Sequence, residues 1–176
     1  MQSALALILV CMVAQAALTD LSVRRIPNLL VLSGLLMALL LHLLGGTHWA
    51  PVTDWLAGTL AGFFLYLPLY LARGMAAGDV KLLAMVGAFT GPQGALIVGL
   101  LSCLIGGLMA LALLLYGGRW RDGWRNLATL CKPLLLRLTG VPLQPVPLPP
   151  GASVGGMPYG LAIALGTVGY VLWGPA

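Results

Sequence analysis

The chain carries no glutamate and only four aspartates, Asp20, Asp54, Asp79 and Asp122, among 176 residues that are 60% hydrophobic and 7% charged. Acids this scarce in so apolar a setting are candidates for chemistry. Asp54 stands just before Trp55 at the start of an apolar run and reads as a helix N-cap. Asp122 lies among arginines and reads as a solvated charge partner. Asp20 and Asp79 differ from both, because each falls at the junction between an apolar run and a short polar break. Two carboxyls held at one level of a helical bundle can hydrolyse a peptide bond. When they approach closely they cannot both ionise easily, so one keeps its proton. The charged member then draws a proton from water while the neutral member donates to the scissile carbonyl. Such a pair titrates as a unit, so residue type alone does not assign the two parts. The bland alternatives are local: Asp20 could pair with Arg24 four residues on, and Asp79 could cap the helix it begins.

The elements that must bring these acids together are apolar helices. A soluble domain carries about 25% charged residues, and the mean hydropathy here is +1.02, so the bilayer is the expected solvent. Apolar runs predict spans at Ser3 to Thr19, Leu29 to Leu44, Trp55 to Ala72, Asp79 to Thr90, Gly94 to Tyr116 and Met157 to Trp173. The fourth and fifth are divided by Gly91-Pro92-Gln93-Gly94, the turn signal inside a long apolar run. The fourth is short for a crossing and is expected to gain length from the Gly/Ala stretch before it. Residues 117–156 form the largest polar segment. Its first half mixes five cations with Trp120 and Trp124, as in a helix lying in the membrane interface, and 141–150 holds five prolines in an extended linker. The expected fold is an all-α polytopic membrane protein of about six transmembrane helices with a cytoplasmic interfacial helix, one membrane-embedded domain over residues 1–176. The apolar N-terminus lacks a basic leader and a small-residue cleavage site, and reads as a retained span.

Charge placement orients the bundle. Eight of the nine Lys and Arg residues fall in breaks 20–28, 73–78 and 117–156, with Lys81 one turn beyond the second. Breaks 45–54 and 91–93 contain none. With six spans, that asymmetry puts both termini outside and both candidate acids on the cytoplasmic side. Scattered topology-setting cations, without a continuous basic face, exclude a nucleic-acid reader despite the net charge of +5. Gly58-x-x-x-Gly62 and Gly87-x-x-x-Gly91 offer small faces for close helix approach, or are ordinary membrane-helix glycine.

The contexts of the two acids carry a resemblance. Asp20-Leu21-Ser22-Val23-Arg24-Arg25-Ile26-Pro27-Asn28 resembles the first motif of the type IV prepilin peptidases, an Asp followed by a basic stretch and Ile-Pro-Asn. Gly74-Met75-Ala76-Ala77-Gly78-Asp79-Val80-Lys81 resembles their Gly-x-Gly-Asp-x-Lys motif, and Met157-Pro158-Tyr159-Gly160 resembles the Pro-Tyr-Gly segment that opens the family's last helix. The three occur in the family's order and span nearly the whole chain. The resemblance implies a membrane aspartyl endopeptidase with Asp20 and Asp79 as the catalytic pair. It makes Arg24, Pro27, Asn28, Gly78, Lys81, Pro158, Tyr159 and Gly160 supporting motif residues. Pro27 favours a helix start, Asn28 can bond nearby backbone, and Gly78 would let the chain turn tightly into Asp79. Lys81 is two residues from Asp79, so their side chains should not meet on a helix, and it is expected to bind headgroups or steer substrate. One departure stands out: the family's first motif glycine falls at Ala76, which would cost about 1 kcal/mol if that turn needs φ > 0.

By resemblance, the expected substrates are prepilins or pseudopilins, cleaved after a glycine between a basic leader and a hydrophobic helix at the cytoplasmic face of the inner membrane. The expected partners are the bilayer and the pilus or secretion machinery. Large family members carry a cytoplasmic domain with paired CxxC motifs and an N-methyltransferase activity. The first span here leads straight into Asp20, so the chain is similar to the small peptidases of Flp-type pili. The alternative reading is a non-enzymatic proton-coupled carrier with the two aspartates as a relay, which predicts transport in proteoliposomes, or a structural secretion-system subunit, for which both Asp→Asn changes should be silent. No cofactor or metal is expected. Cys11, Cys103 and Cys131 lack CxxC spacing, and His42 and His48 stand apart from any Cys or carboxylate cluster. Ser22, Ser33 and Ser102 have no His partner, and 74–81 lacks Walker spacing.

Overall fold

The computed structural model describes residues 2–45, 50–72, 74–116 and 158–173, and every regular element among them is a helix. The helices are α1 (Gln2–Val23), α2 (Asn28–Gly45), α3 (Ala50–Leu71), α4 (Ala77–Tyr116) and α5 (Tyr159–Trp173). Leu5–Val23, Val52–Leu71 and Ala77–Leu113 are long and apolar enough to cross a membrane, and Asn28–Leu44 and Tyr159–Trp173 are shorter apolar helices. Outward-facing side chains are as apolar as the core: Leu29 is 76% exposed, Leu44 75% and Leu100 67%. Water would not tolerate so continuous an apolar exterior. This is a helical membrane protein.

The chain divides into two compact units, one of 1–106 with 158–176 and one of 107–157. In the second, the described residues are the end of α4, where Leu108, Leu111, Leu113, Leu115 and Tyr116 are exposed. The first holds every residue of the candidate site. The expected interfacial helix and proline-rich linker of 117–156 lie outside the described residues.

α4 is interrupted at Gly91, whose φ of 73° and ψ of 179° no helix contains. The chain folds back there. Leu83 and Gly99 would be about 24 Å apart on a straight helix, yet a Cβ added to Gly99 would lie 3.3 Å from the Leu83 side chain, and one on Gly87 would lie 3.1 Å from Ala95. The break therefore joins two antiparallel arms, 77–90 and 92–106, as the Gly-Pro turn signal predicts. Pro92 opens the second arm, where its missing N–H is no loss. A Cβ on Gly91 meets nothing within 4 Å, so its only objection is backbone conformation. Gly91→Ala should accordingly lower stability by about 1–3 kcal/mol, measured by denaturant unfolding in detergent, without a packing defect.

The first arm is the centre of the bundle. Residues 82–89 are all buried, which suits a helix that is apolar all round. α3 reaches it through glycine: a side chain on Gly58 would strike the Gly87 carbonyl, and one on Gly62 the Leu83 carbonyl. The two Gly-x-x-x-Gly segments thus face one another. On α2, a Cβ at Gly34 would run into the Met85 thioether.

Helix boundaries depart from expectation in two instructive places. α1 runs on to Val23, so Asp20 sits on its last turn instead of in a polar break. α3 begins at Ala50, with Pro51 in its first turn, so Asp54 is inside the helix and is not its N-cap.

Candidate active site

Three chain segments meet at one end of the bundle: the last turn of α1, the start of α4 and the start of α5. Each contributes one polar group to a common point. Asp20, on α1, is 8% exposed, and Asp79, on α4, is 5% exposed. Carboxylates are rarely this buried without partners, and both have them.

Asp20 reaches across the bundle. One of its oxygens accepts the backbone N–H of Gly160 at 2.8 Å, a buried bond between residues 140 positions apart. Pro158 precedes α5 and its carbonyl accepts the Leu161 N–H at 3.2 Å, so the Gly160 amide is one of the first-turn donors that a helix leaves without an internal partner. Among the described residues, Asp20 makes no ion pair with Arg24. Instead Arg24 leaves the helix with a φ of 54°, and its N–H returns to the Asp20 carbonyl at 3.0 Å. That is a left-handed C-terminal cap on a non-glycine residue.

Asp79 is held locally. Its carboxyl accepts the Ala76 N–H at 3.3 Å, while its own N–H goes to the Ala76 carbonyl at 3.1 Å. This is the reach-back of a third helical residue to its N-cap, so the capping role open in the sequence is real. Each acid thus has one oxygen held by a backbone amide, and among the described residues the other accepts no hydrogen bond. Asp79 lies within electrostatic reach of Asp20, and Tyr159 lies within reach of Asp79.

Two tyrosines pack together at the start of α5. Tyr66 of α3 is 1% exposed and donates its hydroxyl to the Gly99 carbonyl at 2.9 Å. The Tyr159 ring meets it edge-on at 6.1 Å, and Gly106 leaves the space that the Tyr159 ring fills. Sequence reading missed Tyr66, although a tyrosine inside an apolar run was the available signal.

The supporting residues divide. Pro27 stands immediately before α2, its carbonyl accepting the N–H of Leu30 at 3.1 Å. Among the described residues Asn28 bonds no nearby backbone; its side-chain oxygen accepts the Lys81 ammonium at 3.1 Å. This tie, across 53 positions, joins the first and second motifs and gives Lys81 a protein partner. Being exposed, it should be weak, and Lys81→Met is expected to cost less than about 1 kcal/mol in detergent unfolding. Gly78 is helical, without the tight turn expected of it, and its missing side chain faces Ile26 at 3.4 Å. Ala76 is not strained, since Arg24 is the described non-glycine residue with positive φ. The loss of the family glycine there therefore carries no backbone penalty.

Lys81 and Asp79 are two residues apart, or about 200° around the helix. An apolar groove of about 380 Å³, lined by Val31, Leu35, Phe63 and Ala84 with Asn28 and Lys81 at one end, therefore lies on the face of α4 turned away from the acids. His42 turns a ring nitrogen to the Ala38 carbonyl of its own helix at 2.8 Å. Among the described residues, no three His, Cys, Asp or Glu side chains cluster as a metal site would need.

A helical membrane protein with two buried carboxyls converging at one end is the class these features define. The sequence model of the type IV leader peptidase family matches residues 7–111, more than half of the chain, and the chain belongs to that family. It is 38% identical over 117 residues to a prepilin leader peptidase/N-methyltransferase of Aeromonas salmonicida, covering 62% of this chain and 40% of that one. The Aeromonas hydrophila protein of the same description matches with the same identity and coverage. A Pseudomonas putida counterpart is 32% identical over 105 residues, covering 56% of this chain and 36% of its own length. The chain thus spans about two fifths of the length of the relatives it matches. No solved structure matches.

Proposed function

We propose that this protein is an aspartyl endopeptidase that removes the basic leader of prepilins or pseudopilins, with Asp20 and Asp79 as its catalytic pair. The observation that carries the reading is the convergence of two buried acids from α1 and α4, each with one oxygen held by a backbone amide. Family membership supports the peptidase class, and the relatives' description as prepilin leader peptidases supports the substrate.

The chemistry follows from two neighbouring carboxyls, one of which keeps the shared proton. A water between them loses a proton to the carboxylate as its oxygen bonds to the scissile carbonyl carbon. The protonated partner gives its hydrogen to the carbonyl oxygen, so the tetrahedral diol forms without a free oxyanion. In the return step the diol hydroxyl gives its proton back, the C–N bond breaks, and the leaving nitrogen takes the proton that came from water. Both acids end as they began. No metal or covalent intermediate is needed.

The setting is the inner membrane, crossed six times with both termini outside, so that the acids face the cytoplasm where a basic leader resides. A substrate helix would stand beside the bundle on the acid-bearing face of α4, since a helix in the Phe63 groove would present its scissile bond to the wrong side. Small peptidases of Flp-type pili are the functional analogy this reading adopts. Purified protein reconstituted in liposomes with a synthetic prepilin tests the reading directly. Mass spectrometry should find a single cut at the junction of leader and hydrophobic segment, and intact substrate at full enzyme recovery would overturn it.

A further inference from the structure

We propose that Gly160 is the positioning residue for Asp20: its bare α-carbon makes room for the carboxyl, and its N–H fixes the direction in which the free oxygen points. This rests on the reading of Asp20 and Asp79 as the catalytic pair and adds how one of them is aimed.

Three observations carry it. The Gly160 N–H bond to Asp20 is short and buried, at 2.8 Å. A Cβ at Gly160 would lie 2.9 Å from that same carboxyl oxygen, 3.1 Å from the Asp20 Cβ and 3.2 Å from its Cγ. All three nearest atoms belong to the Asp20 side chain, so the bare α-carbon is fitted first of all to that carboxyl. The start of α5 is also held sideways, because the Tyr159 ring meets Tyr66 edge-on and packs over Gly106. Neither partner can therefore yield by a rigid shift of the helix. A methyl group at 160 must turn the carboxyl away and stretch the amide bond together.

Asp20 sits on the last turn of α1, where nothing in its own helix restrains the carboxyl. α5 supplies that restraint from 140 positions away. Asp79 needs no such help, since the Ala76 amide of its own N-terminus holds it. The two acids are thus aimed by different devices, one local and one tertiary.

Gly160→Ala is expected to lower kcat by about 100-fold, the usual consequence of a displacement near 1 Å at a reacting group. KM should stay within about twofold, because no substrate contact is removed. Gly166→Ala is the control: it crowds Ser102, its Oγ at 2.7 Å, on the same helix but away from both acids. It should lower the melting temperature at least as much and leave kcat near wild type. A double-mutant cycle gives a readout independent of catalysis. The melting-temperature loss from Gly160→Ala should shrink by half or more when Asp20→Ala has already removed the carboxyl.

If Gly160→Ala keeps wild-type kcat, or if the two losses of stability simply add, the positioning role is wrong. The pair itself is judged separately. Activity surviving in Asp20→Asn or Asp79→Asn would overturn the catalytic reading, yet the stability cycle would still report whether Gly160 is fitted to Asp20.

Discussion

Asp20→Asn and Asp79→Asn are each expected to lower prepilin processing by about 10²–10⁴-fold, the range for loss of a positioned acid or base. The substitution is close to isosteric, and the structure says why the fold should survive it. An asparagine at 20 still offers an oxygen to the Gly160 N–H, and one at 79 still offers an oxygen to Ala76, so both backbone bonds of 2.8 Å and 3.3 Å can be kept. What disappears is the proton exchange. Removing one of two neighbouring buried acids also relieves their mutual repulsion. The melting temperature in detergent should therefore hold or rise while activity falls, the pattern of a site whose function is bought with stability. Rates from initial processing velocities, set beside melting curves of the same preparations, check both halves. Either variant within tenfold of wild type would remove that residue from the chemistry. Loss of activity together with loss of folding would mean that the acid is structural.

Much of this site was legible in the sequence because its parts are scarce. In a chain with four acids, two sit at helix ends on the same predicted side, and three short motifs recur in one family's order. Continuous apolar runs marked the helices, and Gly91-Pro92 marked the hairpin because few other residues suit that break. What stayed hidden depends on contacts between distant segments. Nothing near Asp20 announces that its hydrogen-bond partner is an amide at 160, since backbone groups leave no mark in a sequence. Lys81 and Asn28 looked like separate motif residues and prove to be tied to each other. Asp54 misled because a good N-cap residue before a tryptophan is common, and the proline three residues earlier starts the helix first. The expected φ > 0 turn at 76–78 was carried over from a glycine pattern, whereas the chain simply enters a helix there.

The same burial that makes Asp79 scarce makes it dependent on packing far from it. The arm of α4 that carries it is buried from 82 to 89, and α3 lies against that arm where Gly58 meets the Gly87 carbonyl and Gly62 the Leu83 carbonyl. Both contacts are side chain against backbone, which cannot rotate away as a flexible side chain could. Gly58→Leu must therefore force the two helices apart. Overpacking of a filled interior typically costs about 1–3 kcal/mol, and more where backbone is the obstacle. Separation there propagates along a rigid helix to its N-terminus, where a displacement near 1 Å is worth about 100-fold in rate. Gly58→Leu should thus lose most processing activity, although no catalytic group is touched, and its unfolding midpoint in detergent should fall well below wild type. Gly107→Leu is the comparison, because a Cβ at Gly107 meets nothing within 4 Å, and it should leave both quantities near wild type. If Gly58→Leu keeps wild-type stability, the glycine faces are ordinary helix composition, and the central arm is held by its leucines and Met85 alone. If it unfolds readily while Gly107→Leu does not, the position of Asp79 is set by close backbone approach between α3 and α4, a membrane-helix device acting at a distance from the chemistry it serves.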